Sequence, residues 1–149
     1  MKVYLGADHR GFALKEKIKD WLTTWGYEFS DLGAYQLDPQ DDFTLYAEKV
    51  GVVVGREEGA RGILLCGSGV GVNIAANKID GVRASFGLSP EQVKAGRNDD
   101  DMNILVIAAD FVAEEKAKDL IKVFLETKFA REERFVRRLA EIKKLEANN

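Results

Sequence analysis

Apolar runs with strand character alternate with helically spaced segments about five times along this chain, and the connections between them are short. Strands are expected at 2–7, 27–32, 62–66, 81–86 and 103–108. In the segment 12–25 between the first two, Leu14, Ile18, Trp21, Leu22 and Trp25 recur at helical spacing, and Gly26 is placed to end the helix. Gly33 to Asp42 reads as a polar loop containing Pro39. Further helices are expected at 42–57, at 72–79, after the Ser89-Pro90-Glu91 start signal, at 113–127 and at about 131–146. The 62–66 run is nearly all apolar, as a strand covered on both faces requires. This order predicts an α/β fold: a doubly wound, Rossmann-like parallel sheet of five strands flanked by helices in a three-layer sandwich. In such sheets ligands bind at the carboxyl ends of the strands.

At 149 residues the chain fits one domain, 1–149, ending in a highly charged helix. A net charge of -3 gives no reason to expect nucleic acid or an anionic membrane surface as partner. No apolar run approaches the length of a membrane span. The first strand meets a turn at Asp8, too early for a signal-peptide core. The single cysteine, Cys66, cannot form an internal disulfide, which suits a reducing cytosol, so a cytoplasmic protein is expected.

Cys66 is also where an apolar run breaks into Gly67-Ser68-Gly69-Val70-Gly71, just before a helix-like segment. A thiol between a strand end and a helix start sits where backbone N–H groups and the helix dipole can stabilise negative charge. Such a place can make a thiolate and hold an oxyanion. The alternative is an inert, buried small hydrophobe above a tight turn. Val72 stands where a dinucleotide fingerprint needs glycine, and no Lys-Ser/Thr pair follows the first turn, Gly6 to Gly11. Nucleotide binding is therefore poorly supported, although glycine-rich turns can bind anions through their N–H groups.

The turn Asp8-His9-Arg10-Gly11 places the only histidine beside a carboxylate, a pair suited to proton transfer or simply to holding a loop. Arg134 and Arg138, four apart, share a helix face and read either as a phosphate clamp or as a solvated face paired with Glu132, Glu133 and Glu141. Asp99, Asp100 and Asp101 form an acidic run, either a polar helix terminator or an acid–base site. No neighbouring cluster has clear ligand spacing, so no metal is expected. Cys66, the Asp8 to Gly11 turn and the 97–102 segment are all expected at the carboxyl edge of the sheet.

Several segments together resemble the ribose-5-phosphate isomerase B / galactose-6-phosphate isomerase family. They are Gly6-Ala7-Asp8-His9, Cys66-Gly67-Ser68-Gly69-Val70-Gly71, Ile74-Ala75-Ala76-Asn77-Lys78 and the Arg134/Arg138 pair. The resemblance covers nearly the whole chain. It implies an aldose–ketose isomerase of a phosphorylated sugar, with no cofactor, acting through a cis-enediolate. Its first expected reaction is ribose 5-phosphate to ribulose 5-phosphate. A tetrose or hexose phosphate (such as galactose or allose 6-phosphate), or a non-catalytic phosphosugar-binding module, are the alternatives. It implies Cys66 as the base, Gly67 to Gly71 as the amide-lined oxyanion site and Ser68 as a hydroxyl on the reacting oxygens. Asp8 is implied near the ring oxygen, and His9, Arg134 and Arg138 at the phosphate. A homodimer with sites at its interface is implied, with a tetramer as the larger alternative.

The sequence departs from the family at three places. Asp99 and Asp100 stand in the usual His-Asn pair, whose His helps open the sugar ring; either Asp99 acts as the base there, with Asp100 as a substrate contact, or the ring opens without help, or the substrate has no ring. Asp42-Phe43-Thr44 replaces Asp-Tyr-Pro. Asp110 stands at a usual phosphate-binding arginine, a loss for which Arg10 could compensate.

Overall fold

The computed structural model describes residues 1–149, and the expected α/β order is present. Five strands, β1 (Val3–Ala7), β2 (Phe29–Asp31), β3 (Arg61–Cys66), β4 (Ala84–Phe86) and β5 (Ile104–Ala108), interleave with six helices. These are α1 (Phe12–Trp25), α2 (Phe43–Arg56), α3 (Val70–Ala76), α4 (Pro90–Asp100), α5 (Glu114–Glu126) and α6 (Glu133–Ala147). The strands form one sheet in the order β2-β1-β3-β5-β4, and every pairing is parallel.

Strand residues alternate between the sheet's faces, and each face has its own core. Val3, Leu5, Ile63, Leu65, Leu105 and Ile107 meet Ile18 and Leu22 of α1 and the buried face of α5. Tyr4, Leu64, Cys66, Ile104 and Val106 meet Ala47, Val50 and Val54 of α2 and Val72 and Ala76 of α3. The sheet is therefore sandwiched between α1, α4 and α5 on one side and α2 and α3 on the other. Cys66 ends β3 on the second side, buried among apolar neighbours.

Local chemistry sets the ends of the elements. Gly26 closes α1 in the left-handed region at φ 78°. Ser89 caps α4 by accepting from the Gln92 N–H at 3.1 Å. Helix α3 begins at Val70, earlier than the expected 72, because Gly69 adopts φ 75° and turns the chain directly into helix. Strand β4 is shorter than the expected 81–86, because the Asn103 side chain holds residues 81–83 as a turn. It donates to the Gly81 carbonyl at 2.8 Å and accepts from the Arg83 N–H at 2.7 Å.

One expectation is overturned. The 97–102 segment does not lie at the carboxyl edge. Helix α4 ends at Asp100 and leads into the amino end of β5, so Asp99 and Asp100 stand at the opposite edge from Cys66. Asp101 is structural: with φ 48° it closes α4, and its carboxylate accepts from Arg97 at 2.9 Å and Arg83 at 3.0 Å. Burial, and then the Arg97 charge nearby, lowers Arg61 to about 10 at this same edge. Helix α6 packs along α4 on this side, and Glu146 accepts from the Gly81 N–H at 2.9 Å.

Candidate active site

The strand order changes direction between β1 and β3: the chain leaves β1 for the outer strand β2, and later builds outward from β3 on the other side. Open parallel sheets bind ligands in the crevice outside such a switch point. The Asp8 to Gly11 turn follows β1 into this crevice, and Cys66 with its glycine turn follows β3. The two turns are laced together, since the Asp8 N–H donates to the Leu65 carbonyl at 3.3 Å.

The glycine turn exposes backbone donors. The N–H groups of Gly67, Ser68, Gly69 and Gly71 donate to no carbonyl or side chain in the fold. The Val70 N–H is satisfied by the Ser68 Oγ at 3.2 Å, which leaves the Ser68 hydrogen free to donate elsewhere. The turn also passes close to its neighbours. A Cβ on Gly67 would stand 2.6 Å from both the Arg10 Nε and the Asp110 Oδ2. Phe43 lays its ring over Gly71.

Asp8 is buried, and its Oδ1 accepts from the N–H groups of Arg10 at 3.0 Å and Gly11 at 3.2 Å. That bond pattern shapes the turn that presents His9. His9 Nδ1 lies 2.7 Å from Asp41 Oδ1, and the same oxygen accepts from the His9 N–H at 3.0 Å. Arg10 forms a salt bridge with Asp110 across the mouth of the crevice. Asp110 is tied there in turn, because its N–H donates to the Gly67 carbonyl at 3.0 Å. Asp8, His9 and Asp41 could each bring one ligand atom within 4.8 Å of the others. His9 Nδ1 and the His9 N–H both stand at hydrogen-bond distance from Asp41 Oδ1, so this trio is read as a hydrogen-bond network.

Of the residues expected in the site, the crevice gathers Asp8, His9, Arg10, Cys66, Gly67, Ser68, Gly69, Val70 and Gly71. It does not gather Asp99, Asp100, Arg134 or Arg138. These four lie on α4 and α6, away from the carboxyl edge that carries Cys66. Asp99 accepts from the Asn98 side chain at 2.7 Å. Burial, followed by the Asp99 charge, raises the Asp100 carboxyl, while Arg138 nearby pulls it down. Arg134 lies over the Phe135 ring at 4.7 Å and pairs with Glu132 at 3.3 Å, and both arginines are exposed. Two clefts of about 540 and 1080 Å³ run along α6, and Cys66 lines neither. In one chain, then, four of the thirteen expected residues face away from the crevice at Cys66.

Sequence reasoning missed Asp41. It lies in a polar loop with no periodicity to mark it, and only the folded path of 33–42 carries it to His9. Lys15 anchors that path. Its fully buried ammonium donates to both Asp31 oxygens at 2.7 and 2.6 Å and to the Ala34 carbonyl at 2.8 Å.

Fold and site define a class: a doubly wound parallel α/β protein with a thiol beside unpaired amides at the topological switch point. Comparison with known proteins narrows it. The family model described as Ribose/Galactose Isomerase matches residues 3–142, and the chain belongs to that family. The chain is 37% identical over 124 residues to ribose-5-phosphate isomerase B of Escherichia coli, a match covering 83% of each chain. Type B ribose 5-phosphate isomerase of Trypanosoma cruzi superposes over 100% of both chains, with a TM-score of 0.94 and 32% identity. Ribose-5-phosphate isomerase B of Mycoplasma genitalium, solved with bound ribulose-5-phosphate, has a TM-score of 0.89 at 32% identity. That match covers 99% of this chain and 97% of the other.

Proposed function

We propose that this chain is an aldose–ketose isomerase that converts ribose 5-phosphate to ribulose 5-phosphate through a cis-enediolate. The observation that carries this reading is Cys66 at the carboxyl end of β3 beside backbone N–H groups that have no acceptor in the fold. Removing a proton α to a carbonyl needs a base and, more demandingly, donors aimed at the oxyanion that develops. The thiolate of Cys66 takes the proton from C2, and the bonding pair moves to make the C1–C2 double bond and a charged O1. The turn amides and the Ser68 hydroxyl steady that charge. The Cys66 thiol then returns the proton to C1, while the O2 proton ends on O1, leaving a carbonyl at C2. Atoms and charge balance without an external oxidant, and the reading assigns no cofactor or metal.

His9 and Arg10 supply positive charge and donors for the phosphate on one side of the crevice. Arg134 and Arg138 of a second copy complete the phosphate site, and Asp99 of that copy stands by the sugar as the base for ring opening, with Asp100 beside it. The chain works as a homodimer in the cytoplasm, with each site built from both copies. This arrangement accounts for two sets of polar residues at opposite edges of one chain. No helix is long and apolar enough to cross a membrane.

The test is a turnover screen with four-, five- and six-carbon sugar phosphates. Fastest turnover of ribose 5-phosphate supports the assignment. Fastest turnover of a tetrose or hexose phosphate would transfer it to that substrate, and binding without turnover of any would replace the enzyme with a phosphosugar-binding module.

A further inference from the structure

The chain contains one imidazole, and a single buried carboxylate decides how it is presented. Asp41 comes from the loop between β2 and α2, and its side chain is 5% exposed. Its Oδ1 accepts twice from the same residue, from the backbone N–H of His9 at 3.0 Å and from the ring at Nδ1, 2.7 Å away. An ionised carboxylate offers only lone pairs, so the ring nitrogen facing it must carry the hydrogen. The geometry therefore fixes the ring's orientation and its tautomer together.

The other carboxylate oxygen shows that Asp41 is not placed for its own comfort. Oδ2 is buried and has no hydrogen-bond partner. Burial, then the close approach and charge of the Asp41 carboxylate, push the Tyr46 hydroxyl up to about 12. An unsatisfied buried acceptor costs free energy that an alanine or a leucine at position 41 would not incur. The other polar side chains of this loop, Gln36, Asp38, Gln40 and Asp42, are exposed.

We propose that Asp41 is a positioning residue for the isomerase reaction, holding the His9 ring through Nδ1–H so that the opposite nitrogen, Nε2, is turned to the substrate, where it donates to the phosphate when the ring carries its second proton. The proposal rests on the reading of His9 as a phosphate contact. One aimed nitrogen on a ring held at two points loses less freedom on binding than a ring free to rotate. Asp8 plays the complementary part, since its bonds to the Arg10 and Gly11 N–H groups shape the backbone from which His9 projects.

Because His9 is the only histidine, its ring nitrogens can be read without ambiguity by ¹⁵N correlation spectroscopy. In the unaltered protein, above the pH at which the ring is neutral, hydrogen on Nδ1 is expected; hydrogen on Nε2 would overturn the proposal. Asp41→Ala should let the neutral ring redistribute toward the Nε2–H form and, because the freed ring is no longer held facing the phosphate, raise KM for ribose 5-phosphate about tenfold, with kcat changed less than about twofold. Asp41→Asn keeps an acceptor oxygen in place and should restore both the tautomer and most of the KM. In a His9→Ala background, Asp41→Ala should add nothing further. An Asp41→Ala effect that is undiminished there would show that the carboxylate acts elsewhere, for instance by holding the loop. The spectroscopic result stands even if no sugar phosphate is turned over, so failure of the positioning claim and failure of the isomerase assignment are separable.

Discussion

Gly67 and Gly69 lie two residues apart in the turn after Cys66, yet they constrain the site differently. A methyl group on Gly67 would collide only with the ends of two flexible side chains, Arg10 and Asp110, which can move. Gly67→Ala should therefore change stability by less than about 1 kcal/mol while lowering kcat/KM at least about tenfold, as the displaced pair is pushed across the crevice mouth. Gly69 has φ 75°, and a Cβ there would meet the Phe86 ring at 2.7 Å. Gly69→Ala should cost about 1–2 kcal/mol in stability as well as activity. Thermal melts beside steady-state kinetics separate the two; equal destabilisation would contradict the distinction. At this scale Cys66, Asp8 and His9 were legible in the sequence, because a thiol before a glycine turn and a carboxylate–imidazole pair are local patterns. The partners that make them a site were not. Asp41 is 32 residues from His9 and Asp110 is 100 from Arg10, and no local rule pairs them.

Helix α1 and strand β2 are joined by a buried charge rather than by apolar packing alone. The Lys15 ammonium has no exposure and sits on Asp31. Burial works against the Asp31 carboxylate, but bonds from Lys15, the Gly33 N–H and Lys19 outweigh it and hold the group below its ordinary range. Asp31→Asn leaves the buried ammonium with only the partly exposed Glu16, 3.3 Å away, as counter-ion and should destabilise the protein by about 3 kcal/mol near neutral pH. Because the folded state prefers Asp31 ionised, its contribution is complete above the ordinary carboxylate range and is lost as pH falls through the lowered folded value. Denaturant unfolding of both proteins across acidic pH should show the difference shrinking as pH drops; a constant difference would contradict it. The elements themselves were legible, since the periodicity of 12–25 and the apolar run at 62–66 depend on neighbours in sequence. Their ends were less so. The span of β4 is set by Asn103, some twenty residues on, and the edge on which 97–102 lies is set by strand order.

At the scale of the molecule, one chain carries the thiol crevice at one edge of the sheet and Asp99, Asp100, Arg134 and Arg138 toward the other, and the proposed dimer makes each group half of a shared site. A closed two-fold dimer joins such halves reciprocally, giving two complete sites. Cys66→Ala and an Arg134→Ala/Arg138→Ala double variant should each be nearly inactive alone. When they are unfolded and refolded together in equal amounts, about a quarter of full activity should return. Half the dimers are then mixed, and one of their two sites is unaltered. No recovery on mixing would contradict shared sites. The fold class was readable from the strand–helix alternation, whereas the sharing of sites was implied only by resemblance, because no single chain records which edge meets a second copy. The claim on which the rest depends is that Cys66 removes the C2 proton. Solvent deuterium incorporation at C2 of ribose 5-phosphate, followed by NMR for the unaltered protein and for Cys66→Ala, tests it most directly. The account predicts exchange in the first and its loss, by about a thousandfold or more, in the second. Exchange that survives the substitution undiminished would contradict it.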